Sequence, residues 1–265
     1  MTVDQKKVYW CVIGCGIVFL LLTLITLYFE PTISRDGTLY LRMAGVWQKN
    51  GSFYAVWNTF PDFRIPPFYL WLIQGGIDIG LPPEIAGRSI SLICGITMPL
   101  LAYLIAQEVQ KDQRVSLAAA FLMAVNPTVI NYSVAIQRDM LYFALCGWTI
   151  YFCLRGILHN KIRSWIPAGI LFGCSLLTRY ETLELLPLLL LAFVLFGMNK
   201  KISWKRFLSQ SASMAVSCLI TVFALIYIIG VQNHILNYYQ KFFYGKYDWI
   251  QSLYKGSDAG ENGTE

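Results

Sequence analysis

Charged side chains make up only 14% of this 265-residue chain, and four short stretches set cations among or beside carboxylates. They are Arg35–Asp36 in "ISRDGTLY", Arg64 ahead of Pro66–Pro67, Arg138–Asp139 in "IQRDMLY", and Arg179, Glu181 and Glu184 in "LTRYETLE". Arginine forks grip phosphate oxygens bidentately, while a carboxylate accepts the proton of an attacking hydroxyl. Gathered in one pocket, such groups suit chemistry on an anionic lipid headgroup. Taken singly, each has a plainer reading: Asp36 as a solvated loop acid, Arg138–Asp139 as a surface ion pair of little energetic weight. The two histidines, His159 and His234, make a histidine-based site improbable. The seven cysteines all fall in apolar runs without ligand spacing and read as packing residues. No Gly-rich phosphate loop or dinucleotide fingerprint is present.

The elements that must position these charges are membrane helices. The chain is 56% hydrophobic with a mean hydropathy of +0.52, too apolar for an ordinary soluble domain. Val8 to Tyr28 is a run of 21 nearly uninterrupted apolar residues, about 30 Å of helix at roughly 1.5 Å per residue, enough to cross a hydrocarbon core. A cleavable signal peptide is the competing reading of this run. Its length exceeds the roughly 7–15 residues of an h-region, and no small-x-small site precedes Glu30. Further runs at Ser89–Ala106, Val115–Val134, Met140–Leu158, Trp165–Leu177, Leu183–Met198 and Phe207–Gly230 bring the expected spans to seven. "NPT" at 126–128 reads as a proline kink within the third.

With the N-terminus in the cytoplasm, eleven basic residues lie in short cytoplasmic segments against three acids, Asp4, Glu108 and Asp112, as the positive-inside rule requires. "PFYLWLIQGGIDIG" at 67–80 is too interrupted to cross, and a crossing there would move nine of those basic residues outside. It reads as an interfacial helix started by Pro66–Pro67 and anchored by Trp71. Tyr40, Met43, Ala44 and Trp47 share a helical stripe and predict a second such helix. As one helix, residues 165–198 would be about 51 Å long and overshoot the bilayer, so the chain breaks at "TRYET". The arm Trp165–Leu177 then spans about 20 Å and leaves Arg179 below the outer surface, where exposure to lipid costs about 3 kcal/mol. Arg179 therefore faces a polar cavity and a partner. The expected organisation is an all-α polytopic module over 1–230, with an external loop at 29–88, followed by an external tail at 231–265.

In order, "SRDGTLYLRMA", "RIPPFYLWLI", "GRSISLICGITMPLLAYLIAQEV", "NPTVINYSVAIQRDMLYF" and "GCSLLTRYETLELLPLLLL" resemble the first seven helices of the GT-C superfold glycosyltransferases. The likeness is greatest to the protein-mannosyltransferase-like and aminoarabinose-transferase-like branch. The resemblance implies that Asp36, the first-loop acid, is catalytic, that Asp139 is the second-loop acid, and that Arg179 contacts the lipid phosphate. The chain departs from many relatives in having Gly37 where they carry Glu, and Ile65 where they carry His before the Pro-Pro pair.

The reading that follows is an inverting membrane glycosyltransferase acting on the non-cytoplasmic face. Its partners are a polyprenyl-phosphate-linked sugar as donor, a hydroxyl-bearing protein, glycan or lipid as acceptor, and the surrounding membrane lipid, with no nucleic acid. Asp36 is the expected base. Arg138 and Arg179 are expected to bind the donor phosphate, and Asp139, Glu181, Arg35, Tyr40 and Arg64 to support them or bind sugar. No cofactor is required and no metal site is predicted. Two other readings are a transporter or flippase for an anionic lipid-linked substrate, which inverted repeats would favour and the sequence lacks, and a non-catalytic transferase module.

Overall fold

The computed structural model describes residues 3–188 and 204–232, apart from 31, 62 and 64, together with 191 and 194. The described residues hold helices and no strand. They are α1 (Val3–Phe29), α2 (Arg35–Asn50), α3 (Phe53–Thr59), α4 (Phe68–Asp78), α5 (Pro83–Gln110), α6 (Gln113–Ala124), α7 (Pro127–Val134), α8 (Arg138–His159), α9 (Trp165–Leu176) and α10 (Trp204–Ile229), with short 3-10 turns at Ile162–Ser164 and Tyr180–Glu184.

Four helices among them, α1, α5, α8 and α10, are long and apolar enough to cross a membrane. A fifth crossing is the pair α6 and α7, bent by 50° at Asn126–Pro127. The bend has a local cause: the Asn126 side chain accepts from Thr128 N (2.9 Å) and Val129 N (3.3 Å) and so starts a new helix at Pro127. Seven spans were expected, and the described residues give four or five. α9 has only 12 residues, about 18 Å, and half of the expected span Leu183–Met198 lies outside the described residues.

The first loop holds three helices where two were expected, because Ser52 caps a short extra one, accepting from Tyr54 N at 3.2 Å. α2 buries Gly37, Tyr40, Met43, Ala44 and Trp47 on one face, and α4 buries Tyr69, Leu70 and Ile73 completely. These helices are thus part of the hydrophobic core. With Ala86 of α5, Leu141 of α8, Leu177 and Ile226 of α10 they form the larger hydrophobic cluster, at the end of the bundle where the loop lies. A smaller cluster of Cys153, Ile157, Trp165, Phe172 and Met214 joins α8, α9 and α10 toward the other end. α9 meets α10 through Gly169 and Gly173: a Cβ on Gly169 would lie 2.3 Å from Met214 O and one on Gly173 3.1 Å from Cys218 O. Small residues let membrane helices approach this closely.

Candidate functional site

The segment between α7 and α8 carries "AIQRD" to the mouth of the bundle, and α5 fixes its path. Arg88 Nη1 donates to Val134 O (2.8 Å), and Ser91 Oγ donates to Ala135 O (2.7 Å). Ile136, 1% exposed, is wedged between two glycines. A Cβ on Gly87 would lie 2.7 Å from its Cγ2, and a Cβ on Gly37 of α2 would lie 3.2 Å from its Cβ and 2.9 Å from Ile33 Cγ2. Gln137 adds a hydrogen bond from Nε2 to Ser34 Oγ (3.4 Å), the same oxygen that caps α2 by accepting from Gly37 N (3.0 Å). The first turn of α2, which carries Asp36, is thereby docked beside the first turn of α8, which carries Arg138 and Asp139. The packing also favours glycine after Asp36: a side chain at position 37 would press on Ile33, Ile136 and Ser34.

The third wall is the break after α9. The irregular backbone there is satisfied within the protein by Ser, Thr and main-chain groups, the condition for its lying at membrane depth. Arg179 N donates to Ser175 O (2.8 Å), Thr182 Oγ1 donates to Arg179 O (2.6 Å), and the Ser175 and Thr182 hydroxyls lie 2.9 Å apart. Phe68 N, just after Pro66–Pro67, donates to Leu177 O (3.0 Å) and ties α4 to the break. Arg179, in extended backbone, projects into the space between these walls.

There its guanidinium makes an ion pair with Asp139 through Nη1 and pairs with Glu181 through Nη2 (3.3 Å) and Nε (3.5 Å), while lying 5.3 Å from the Tyr142 ring centroid. Asp139 and Tyr142 are three residues apart on α8 and share its face. For Glu181, burial alone would raise the carboxyl pKa, but the hydrogen bond and charge of Arg179 outweigh it and hold the group below its ordinary value. Tyr40, 7% exposed, lies among the charges. Burial raises its pKa most, Arg138 and Arg179 lower it, and Asp139 and Asp36 raise it, with a net upward shift that keeps the phenol a donor. Asp36 itself is exposed and makes no ion pair with a described residue. Arg138 is half-buried, and its Nη1 is fully buried with no acceptor among the described residues.

The structure therefore brings Asp139, Arg179 and Glu181 into contact and sets Tyr40 within the field of Arg138, Asp139, Asp36 and Arg179. Asp139, expected to support the arginines or bind sugar, holds Arg179. Arg35 is exposed at the start of α2, Glu184 is exposed, and Arg64 lies outside the described residues. Tyr142 and the Ile136 wedge were missed from sequence. The first was signalled by its i+3 spacing from Asp139, whereas the wedge had no local signal, because its two glycines are far apart in the chain.

Residues 64–228 match the sequence profile of the dolichyl-phosphate-mannose-protein mannosyltransferase family. The chain belongs to this family. It is an integral membrane protein of the GT-C glycosyltransferase type, as the motif order suggested. The part of the chain that matches the mannosyltransferase family contains Arg138, Asp139, Arg179 and Glu181, and Asp36 lies ahead of it. No curated protein matches the chain.

Proposed function

We propose that the chain transfers a sugar from a polyprenyl-phosphate-linked donor to a hydroxyl acceptor on the non-cytoplasmic face, with inversion at the anomeric carbon. The acceptor oxygen attacks the anomeric carbon as the bond to the phosphate oxygen breaks, and its electron pair leaves with the polyprenyl phosphate. Asp36, exposed to water, takes the hydroxyl proton. One displacement inverts the centre.

The observation that carries the reading is the buried Arg138 Nη1 with no acceptor among the described residues. A buried cationic donor without a partner is costly, and a phosphate oxygen would supply the acceptor. Arg179 adds the N–H groups that Asp139 and Glu181 leave unused, since a guanidinium carries five. Tyr40, protonated, supplies a hydrogen-bond donor between base and phosphate clamp. The external face follows from the eleven basic residues of the opposite segments.

The test is transfer from a radiolabelled polyprenyl-phosphate sugar in membranes carrying the wild-type chain or Asp36→Asn. The variant keeps the size of the side chain and removes the base, so turnover falls by about 10²-fold or more while donor affinity holds within a few-fold. Equal turnover in the two would exclude the general-base role. Uptake without glycosyl product would exclude the transferase reading.

A further inference from the structure

α1 and α5 meet closely at one level and part below it. Phe19 of α1 is fully buried against Ala124 and Ile130, and a Cβ on Gly95 of α5 would lie 2.9 Å from its ring. Toward the N-terminus of α1, Cβ atoms on Gly14 and Gly16 would meet nothing within 4 Å, and a groove of about 650 Å³ opens between the helices. Its walls are apolar side chains such as Val12, Ile13, Ile96, Leu100 and Leu104, with Tyr9 and Tyr103 the polar exceptions.

Two features fix the chemistry of an occupant. The lining runs along α1 from Val8 to Leu20, about 18 Å at roughly 1.5 Å per residue and a little over half of a roughly 30 Å hydrocarbon core. That is the depth of one leaflet. The groove's N-terminal end is flanked by exposed Lys6 and Lys7, two positions and one before the first lining residue. Exposed Lys111 and Arg114, which close α5 and open α6, lie at the same end of these helices. Asp112 sits between Lys111 and Arg114, so an apolar partner helix would fill the groove and leave Lys6 and Lys7 as the cations without a counter-charge among the described residues. A single acyl chain with a phosphate at its head answers both features. The candidate active site lies beyond the opposite end of α1, so the Phe19–Gly95 contact separates the groove from that site.

We propose that this groove holds one acyl chain of an anionic phospholipid from the leaflet opposite the candidate active site, its headgroup against Lys6 and Lys7. The proposal does not depend on the transfer reaction.

The full chain would be placed in phosphatidylcholine nanodiscs containing a minor share of phosphatidylglycerol with a diazirine midway along one chain. Adducts are expected on Val8–Leu20 and Ile96–Leu104, and the same diazirine on phosphatidylcholine should label these segments far less. Lys6→Gln and Lys7→Gln should each reduce the preference for the anionic probe by about five-fold, the effect of one basic side chain at an anionic surface. Gly16→Phe projects into open space and should remove the groove adducts from either probe while labelling of the lipid-facing α10 persists. Equal labelling by the two probes, labelling spread evenly over α1, α5 and α10, unchanged labelling in Gly16→Phe, or a cross-link to a second chain would each overturn the proposal.

Discussion

The guanidinium of Arg179 reaches from the break after α9 to the carboxylate of Asp139 on the first turn of α8, joining two segments 40 residues apart in the chain. The side chains of Arg179, Asp139 and Glu181 are 25%, 22% and 27% exposed, so the cluster is partly solvated and each pair contributes about 1 kcal/mol or less to stability. Its cost and its value lie in positioning. Arg179→Lys keeps the charge and loses the fork, removing at least one charge-assisted hydrogen bond worth about 1.5–3 kcal/mol, so transfer should slow by roughly ten-fold or more. Arg179→Leu should abolish transfer and lower Tm only slightly. A Leu variant that still transfers would remove Arg179 from the site.

Glu181 gives the cluster a pH dependence of known sign. Its folded pKa lies below the ordinary 4.5 because the opposing effect of burial is outweighed by Arg179. Its contribution to stability is therefore complete above that value and is lost as pH falls through the lower, folded one. Wild type should melt above Glu181→Gln at neutral pH, and the two should converge as pH drops below the ordinary carboxylate range. A Tm gap that stays constant down to low pH would show that Glu181 acts only through packing.

Much of this site was legible in the sequence because membrane helices constrain it so strongly. Bilayer thickness set against the roughly 51 Å that residues 165–198 would span as one helix demanded a break, and α9 ends at Leu176; the cost of a lone arginine at depth demanded a partner, which proved to be two carboxylates. The stripe Tyr40, Met43, Ala44, Trp47 named the buried face of α2 through helical period alone. Where contact depends on segments distant in the chain, the sequence was silent. Nothing local marks Ile136 as the residue between Gly37 and Gly87, or Gln137 as the donor to Ser34. The helix Phe53–Thr59 escaped because seven residues are too few for a periodic signal.

Topology is open to a chemical check. In a cysteine-free background, a cysteine at Asn50, which ends α2 in the first loop, should react with an impermeant thiol reagent added from outside. A cysteine at Asn160, the C-cap of α8, should not. The proposed active face rests on this arrangement, so outside labelling of position 160 would reverse it together with the assignment of donor leaflet.

The wedge makes the most demanding prediction, because it concerns a residue with no functional group. Ile136 meets Gly87 at 2.7 Å and Gly37 at 3.2 Å as judged from added Cβ atoms, so it sets how closely the Asp36 turn approaches the Arg138–Asp139 turn. Gly37→Ala must push Ile136 or Ile33 aside and shift Asp36 relative to the phosphate clamp. Donor affinity, which the proposed function assigns to Arg138 and Arg179, should hold within a few-fold while turnover falls, since small displacements of reacting groups are expensive. Ile136→Ala removes the atom that Gly87→Ala would strike, so the double variant Gly87→Ala/Ile136→Ala should be less destabilised than the sum of the singles, with a coupling of about 0.5–3 kcal/mol. Additive Tm losses would mean that the glycines yield independently. Parallel loss of donor affinity and turnover in Gly37→Ala would mean that the wedge supports the whole mouth of the bundle and does not specifically position the base.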